Sequence, residues 1–379
     1  MKVLYVLSAT YMGGATISFL SLLEGMVKRG VQTVVTITDN NPEFIALLDN
    51  LNVKYYIVPV AFHSHARFNN AEDMIKYPYR MLRSMRRWFI SIRAIKKIAR
   101  KEKPDIIHTN VGPIHAGFVA AQKLGIHHVW HVREYGDKDF SIFEFPSTAA
   151  FKRDLAKDYT ISITKDIRKH NLLEGNKKAY VVYNGVRNFD DVHYDKDKEN
   201  YFLCASQIGR AKGHDDVIRA FTVFHKNHND WRLRIIGLGG GEFLEELKQM
   251  VRDAKLEEYV SFEGYKSNVT DYMRKAKALI VASHYEGFGR MTAEASFAGC
   301  MVIGRDTGGT HEIMEKTGGI KFLNLEQLVE GMEKVATMTE DEYRESVLKS
   351  QKIAQENFSI EAYIDNVYNV YKDIIGNKK

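Results

Sequence analysis

Cysteine is scarce in this chain. Its 379 residues hold two, Cys204 and Cys300, far apart in sequence, so neither a disulfide framework nor a four-thiolate zinc site can be assembled, and a reducing compartment fits best. No run of roughly 18 uninterrupted apolar residues occurs, which argues against a membrane span and for a soluble or at most peripheral protein. There is no HExxH, no clustered Cys/His spacing and no GxGxxG. The N-terminal segment MKVLYVLSATYMGGA has a single lysine and a short apolar run, but Gly13 and Gly14 stand where a signal peptide would carry its cleavage site; it reads as a first strand.

What remains is ample. Hydrophobic residues make up 45% and charged residues 27%, enough to bury a sizeable core and to divide into about two domains. The net charge of +6 is unevenly spread: residues 76–103 carry eleven Lys and Arg against one acid, Glu102, a local sum of +10 that leaves the remainder near −4. One basic feature on a balanced surface follows, rather than a protein that coats nucleic acid.

Apolar β-branched runs at residues 2–8, 31–38, 53–58, 104–109, 127–132 and 159–163 alternate with helical patterns. A polar stretch, residues 188–200, reads as a linker and hinge. The alternation restarts at 201–206, 233–236, 259–262 and 278–282. Strands alternating with helices predict parallel sheets covered on both faces, hence an α/β protein with two doubly wound, Rossmann-like domains facing a cleft. The expected bounds are 1–190 for the first domain and 191–358 for the second. An amphipathic segment, 359–379, is expected to fold back on the first. Such sheets take ligands at the carboxyl ends of their strands.

The densest constellation is His284, Tyr285, Glu286, Gly287, Phe288, Gly289, Arg290, Met291, Thr292, Ala293, Glu294 and Ala295, directly after a strand. The glycines allow a tight turn, and a helix starting near Met291 would aim its first amides at an anion such as phosphate. Read alone, the same segment could be an ordinary turn with one capping and one solvated glutamate. Arg210 and Lys212 follow another strand end, where two cations could converge on a pyrophosphate.

The Glu-x7-Glu spacing of Glu286 and Glu294 in EGFGRMTAEA resembles the signature of retaining glycosyltransferases of the GT-B fold, family GT4. Further matches fall in the expected order: Gly13 and Gly14 after the first strand, GRAKG around Arg210 and Lys212, and TGGTHE at 307–312. The likeness covers nearly the whole chain and is weakest near residues 60–100. It implies transfer of a sugar from a nucleoside diphosphate, UDP foremost, to a hydroxyl acceptor in cell-surface polysaccharide or glycolipid synthesis. The implied donor site comprises Gly13, Gly14, Arg210, Lys212, Tyr265 at the base, Glu286 at the sugar hydroxyls, Gly287, Phe288, Gly289, Arg290, Met291, Thr292, and Glu294 at the ribose. His131, at the end of its strand, would lie near the transferred sugar and join Arg210, Lys212 and Glu286 as a catalytic residue.

No cofactor and no metal are expected. The triplets Asp137-Lys138-Asp139 and Asp195-Lys196-Asp197 do not end apolar strands, and cations with backbone amides would stand in for a metal. Expected partners are the nucleotide sugar and a glycan or lipid-linked acceptor, with no nucleic acid. In the basic segment Met81, Leu82, Met85, Trp88, Phe89, Ile92 and Ile95 recur at intervals of three and four, a stripe that would pack on the sheet; alternatively its early part would lie on an anionic membrane. A cytoplasmic location follows, including the inner face of the cell membrane. Two other readings keep the architecture: a nucleotide-sugar 2-epimerase, and a non-catalytic nucleotide- or glycan-binding module.

Overall fold

The computed structural model describes residues 1–66, 68 and 71–376. They form two compact units, residues 1–185 with the chain from Tyr363 onward, and residues 186–362.

In the first unit the strands are β1 (Lys2–Val6), β2 (Gln32–Ile37), β3 (Lys54–Ile57), β4 (Ser64–Ala66), β5 (Ile106–Thr109), β6 (His127–Val132), β7 (Ile142–Glu144), β8 (Tyr159–Ser162) and β9 (Ala179–Val181). Seven form one parallel sheet in the order β3-β2-β1-β5-β6-β8-β9, while β4 and β7 pair antiparallel beside it. The second unit holds β10 (Glu199–Ala205), β11 (Arg232–Ile236), β12 (Val260–Gly264), β13 (Ala276–Val281), β14 (Met301–Arg305) and β15 (Ile320–Phe322), parallel in the order β12-β11-β10-β13-β14-β15. Both orders reverse direction once, between β1 and β5 and between β10 and β13, as doubly wound sheets do at their ligand-binding crevices.

Continuous apolar strands demand cover on both faces. In the first unit the helix Gly14–Lys28 supplies Phe19, Leu22, Leu23 and Met26. From Tyr363 on, the helix Ile360–Gly376 packs in the same unit through Tyr363, Ile364, Val367, Val370, Tyr371 and Ile374. In the second unit Val217, Phe221 and Phe224 of the helix His214–Phe224 fill one face of the sheet with Leu247, Leu328 and Met332.

Three features depart from the sequence reading. The unit boundary falls at 185/186 rather than 190/191, because Val186 N donates to Phe358 O and Ile360 N donates to Arg187 O, fixing this segment in the second unit. The polar stretch 188–200 is bound there too: Asp195 pairs with Lys275 at 2.8 Å and Lys198 Nζ donates to the carbonyls of Arg274 and Gly299. Finally, the helix Ala71–Glu102 buries Ser91, Ile92, Ile95, Ile98 and Ala99, but Leu82 and Phe89 of the expected core stripe point into solvent.

Candidate active site

The switch point of the second sheet gathers the residues singled out at 210–212 and 284–294. The loop after β10 runs into a short 3-10 turn, Arg210–Lys212, and then Gly213 opens the helix His214–Phe224. Gly213 has φ +67, and a Cβ there would overlap the carbonyl of Ala282 in the loop after β13. Glycine is therefore required both for the left-handed conformation and for the close approach. The two loops are joined by His284 N donating to Ala211 O at 3.0 Å. A third loop, after β14, joins through Gly309 N to Glu286 O at 2.7 Å and Thr307 Oγ1 to His284 O at 3.0 Å. Gly309 is glycine because a side chain would strike the backbone of Phe288.

Three loops bonded backbone to backbone thus bring three helix N-termini to one place: His214–Phe224, Arg290–Phe297 and Gly308–Thr317. The aligned dipoles of these helices favour an anion at their N-termini. At the centre Lys212 Nζ donates to Glu286 Oε1 at 2.6 Å, both half-buried. Gly287, Phe288 and Gly289 form the turn beyond Glu286, with Gly289 at φ +84 capping the next helix. On that helix Met291 is half-buried and Thr292 buried, its hydroxyl unpartnered. Thr310 Oγ1, against Gly289, is likewise buried without a partner.

Arg210 and Lys212 do not converge in this conformation. Arg210 turns away to make two hydrogen bonds with Glu246, at 2.6 and 2.8 Å, and its guanidinium lies 4.7 Å from the centre of the Phe243 ring. Glu294 sits on its helix at 8% exposure, accepting from Arg290 Nε at 2.9 Å and from Arg187 Nη2 at 3.3 Å. Arg187 also donates to Thr270 Oγ1. Glu246, Phe243 and Arg187 had no local sequence signal, since each meets its partner across 33 or more positions and no motif surrounds it. Tyr265, just beyond β12, is largely exposed.

In the first unit Gly13 caps and Gly14 begins the helix after β1, beside that sheet's switch point. His131 stands at the carboxyl end of β6. Its side chain is fully buried, with Nδ1 3.3 Å from His108 Nε2 and 3.3 Å from Arg133 Nη2, facing the Tyr363 ring. Burial first, and then the charge of Arg133, hold both imidazoles well below the usual histidine range. The other ring nitrogen of His131, Nε2, is buried without a partner. Arg133 itself is buried among neutral acceptors, Asn110, Asn184 and the Tyr363 hydroxyl. The next residue, Glu134, accepts from Gly112 N at 2.8 Å, yet burial, with the neighbouring Asp139 and Glu144, pushes its carboxyl up to about 7.

Neither Asp-Lys-Asp triplet is arranged around an ion. Asp139 caps the amides of Tyr135 and Gly136, Asp137 lies 2.9 Å from His170, and Asp195 holds Lys275. Among the described residues no three His, Cys, Asp or Glu gather as a metal-binding group.

Two doubly wound parallel sheets, one with three helix N-termini gathered at its switch point, are the architecture of the GT-B class. Residues 12–187 match the family model Glycosyltransferase Family 4, and residues 186–352 match Glycosyl transferases group 1. The chain belongs to the GT4-type glycosyltransferases. Among its relatives, a poly(glycerol-phosphate) alpha-glucosyltransferase of Bacillus subtilis is 28% identical over 43% of this chain and 24% of its own length. The N-acetylgalactosamine-N,N'-diacetylbacillosaminyl-diphospho-undecaprenol 4-alpha-N-acetylgalactosaminyltransferase of Campylobacter jejuni is 27% identical over 34% of this chain and 35% of its own. The match thus spans about a quarter of the first relative and a third of the second. The crystal structure of HepE from Anabaena in complex with UDP-glucose superposes with a TM-score of 0.75 at 16% identity, over 98% of this chain and 100% of that one. That likeness is one of fold.

Proposed function

We propose that this chain transfers a glycosyl group, with retention at the anomeric carbon, from a nucleoside diphosphate to a hydroxyl acceptor in polysaccharide or glycolipid synthesis. The observation that carries the reading is the Lys212–Glu286 pair, 2.6 Å apart beneath three helix N-termini at the switch point of the second sheet. A diphosphate requires a cation and amides; a sugar requires an acceptor for its hydroxyls. The pair supplies one of each, and each group neutralises the other until a donor separates them.

In the proposed reaction the bond from C1 of the sugar to the leaving phosphate oxygen breaks and a bond from C1 to the acceptor oxygen forms on the same face. The acceptor's proton passes to the leaving phosphate. Lys212 and the loop amides hold the charge that develops there. Arg210 adds a second cation by exchanging Glu246 for the diphosphate, an exchange that costs little because the ion pair is exposed. Glu286 positions the sugar hydroxyls, and Glu294, oriented by Arg187 and Arg290, accepts from the ribose. These cations and amides take the place of a metal. The uridine nucleotide is favoured by the UDP-glucose bound to HepE, and the polymer or lipid acceptor by the names of the two bacterial relatives.

The test is a thermal-shift panel of UDP-, GDP- and ADP-sugars, followed by product analysis of the donor that stabilises most. A UDP-sugar should stabilise the protein, Lys212→Ala should abolish the shift, and the anomeric configuration should be kept. A protein blind to every nucleotide sugar would end the proposal; release of an isomerised sugar without acceptor would replace it with the epimerase reading.

A further inference from the structure

The helix Ala71–Glu102 has two apolar faces, and the fold uses only one. Its later turns bury Ser91, Ile92, Ile95, Ile98 and Ala99 against the first sheet. On the opposite side Ile75, Leu82 and Phe89 stand one above another at heptad spacing, 79%, 69% and 50% exposed. Beside them runs a second column at the same spacing, Tyr79, Arg86 and Arg93, with Tyr79 71% exposed. Residues seven apart lie on one side of a helix, so this outward face is an apolar column flanked by guanidinium groups.

Between residues 74 and 101 there are ten Lys and Arg and no Asp or Glu. Only Lys76 and Arg80, the first two, find acids, Glu72 and Asp73 on the preceding turns. Arg83, Arg86, Arg87 and Arg93 form no ion pair with any described residue.

We propose that this face docks on an anionic lipid bilayer, with the helix lying in the plane of the surface. The charge decides the occupant. A second copy of the same face would set like charges against each other. A nucleic-acid backbone would satisfy the arginines but leave Ile75, Leu82 and Phe89 in water. Only an anionic bilayer offers phosphates at the level of the arginines and an apolar layer just below them for the column between. No helix among the described residues is long and apolar enough to cross a membrane, so this attachment would be peripheral. The inference stands on this helix alone and is independent of the donor site.

The experiment is sedimentation of the full chain with vesicles of phosphatidylcholine, with and without phosphatidylglycerol, at low and high salt. The protein should sediment with the anionic vesicles only, and high salt should lower the bound fraction by at least about fivefold. The variant Ile75→Ser/Leu82→Ser/Phe89→Ser should lose binding even at low salt while keeping its circular dichroism and its nucleotide thermal shift. If that variant fails to fold, Arg86→Ser/Arg93→Ser, which removes only exposed charge, should weaken binding by a comparable factor. Absence of sedimentation at low salt overturns the proposal. So does a folded variant that binds like the parent, or a parent dimer that these substitutions break into monomers.

Discussion

Lys212 and Glu286 are 74 positions apart in sequence and 2.6 Å apart in space, each delivered by a loop at the carboxyl end of a neighbouring central strand. Because the pair is half-buried and sits on glycine-built loops rather than in the core, its loss should cost the fold little. Lys212→Ala should lower kcat by about 10²–10³-fold, the scale of losing one donor to a developing anion. The melting temperature should stay close to that of the parent. A variant with near-parental turnover would remove Lys212 from the chemistry.

On the proposed reading Glu246 competes with the donor for Arg210. An exposed ion pair of this type is worth about 0.2–1 kcal/mol, so Glu246→Ala should tighten nucleotide binding by no more than about fivefold. Titration calorimetry with UDP on parent and variant reads this directly. Weaker binding in the variant would mean that Glu246 orients Arg210 toward the diphosphate instead of withholding it.

Glu134 carries a pH signature. Its folded carboxyl titrates at about 7, above the ordinary 4.5, chiefly because burial disfavours the charged form. The folded state therefore holds an extra proton between these two values, and stability declines as pH rises from 4.5 to 7. Glu134→Gln, which preserves an acceptor for Gly112 N, should remove this decline and stabilise the protein more at pH 8 than at pH 5. Urea denaturation at the two pH values gives the comparison; equal effects at both would show that the carboxylate is solvated.

Both cysteines are buried, and burial pushes Cys204 up to about 12 and Cys300 up to about 11. Since the thiolate is the reactive form, neither should react with a thiol reagent at pH 8 until denaturant is added, whereupon both should. Rapid labelling of the native protein would place one of them on a mobile or exposed segment.

Much of the architecture was legible because it is local. β6 falls at the predicted residues, and most long strands lie within two residues of prediction, since short length and β-branched content favour a strand over a buried helix segment. β4, β7, β9 and β15, three residues each, were missed, being too short to show a pattern. Gly213, Gly289 and the helix starts that follow them could be read as an anion site because turn and helix-start chemistry is written in adjacent residues. The expectation failed where exposure was at issue. Leu82 and Phe89 share the helical period of the buried residues, and periodicity does not say which of two apolar stripes meets the sheet. His131 occupies the predicted strand end, but only its neighbours His108, Arg133 and Tyr363 enclose it.

The sequence by itself determined two parallel α/β sheets, the glycine turns at their strand ends and the cations and carboxylates placed beside them, because each follows from residues a few positions apart. The tertiary structure decided which of those groups meet: Lys212 with Glu286, Arg210 with Glu246, Glu294 with Arg187. Those pairings depend on strand order, and strand order is set by how whole helices and strands cover one another's apolar faces, which no short stretch of sequence encodes.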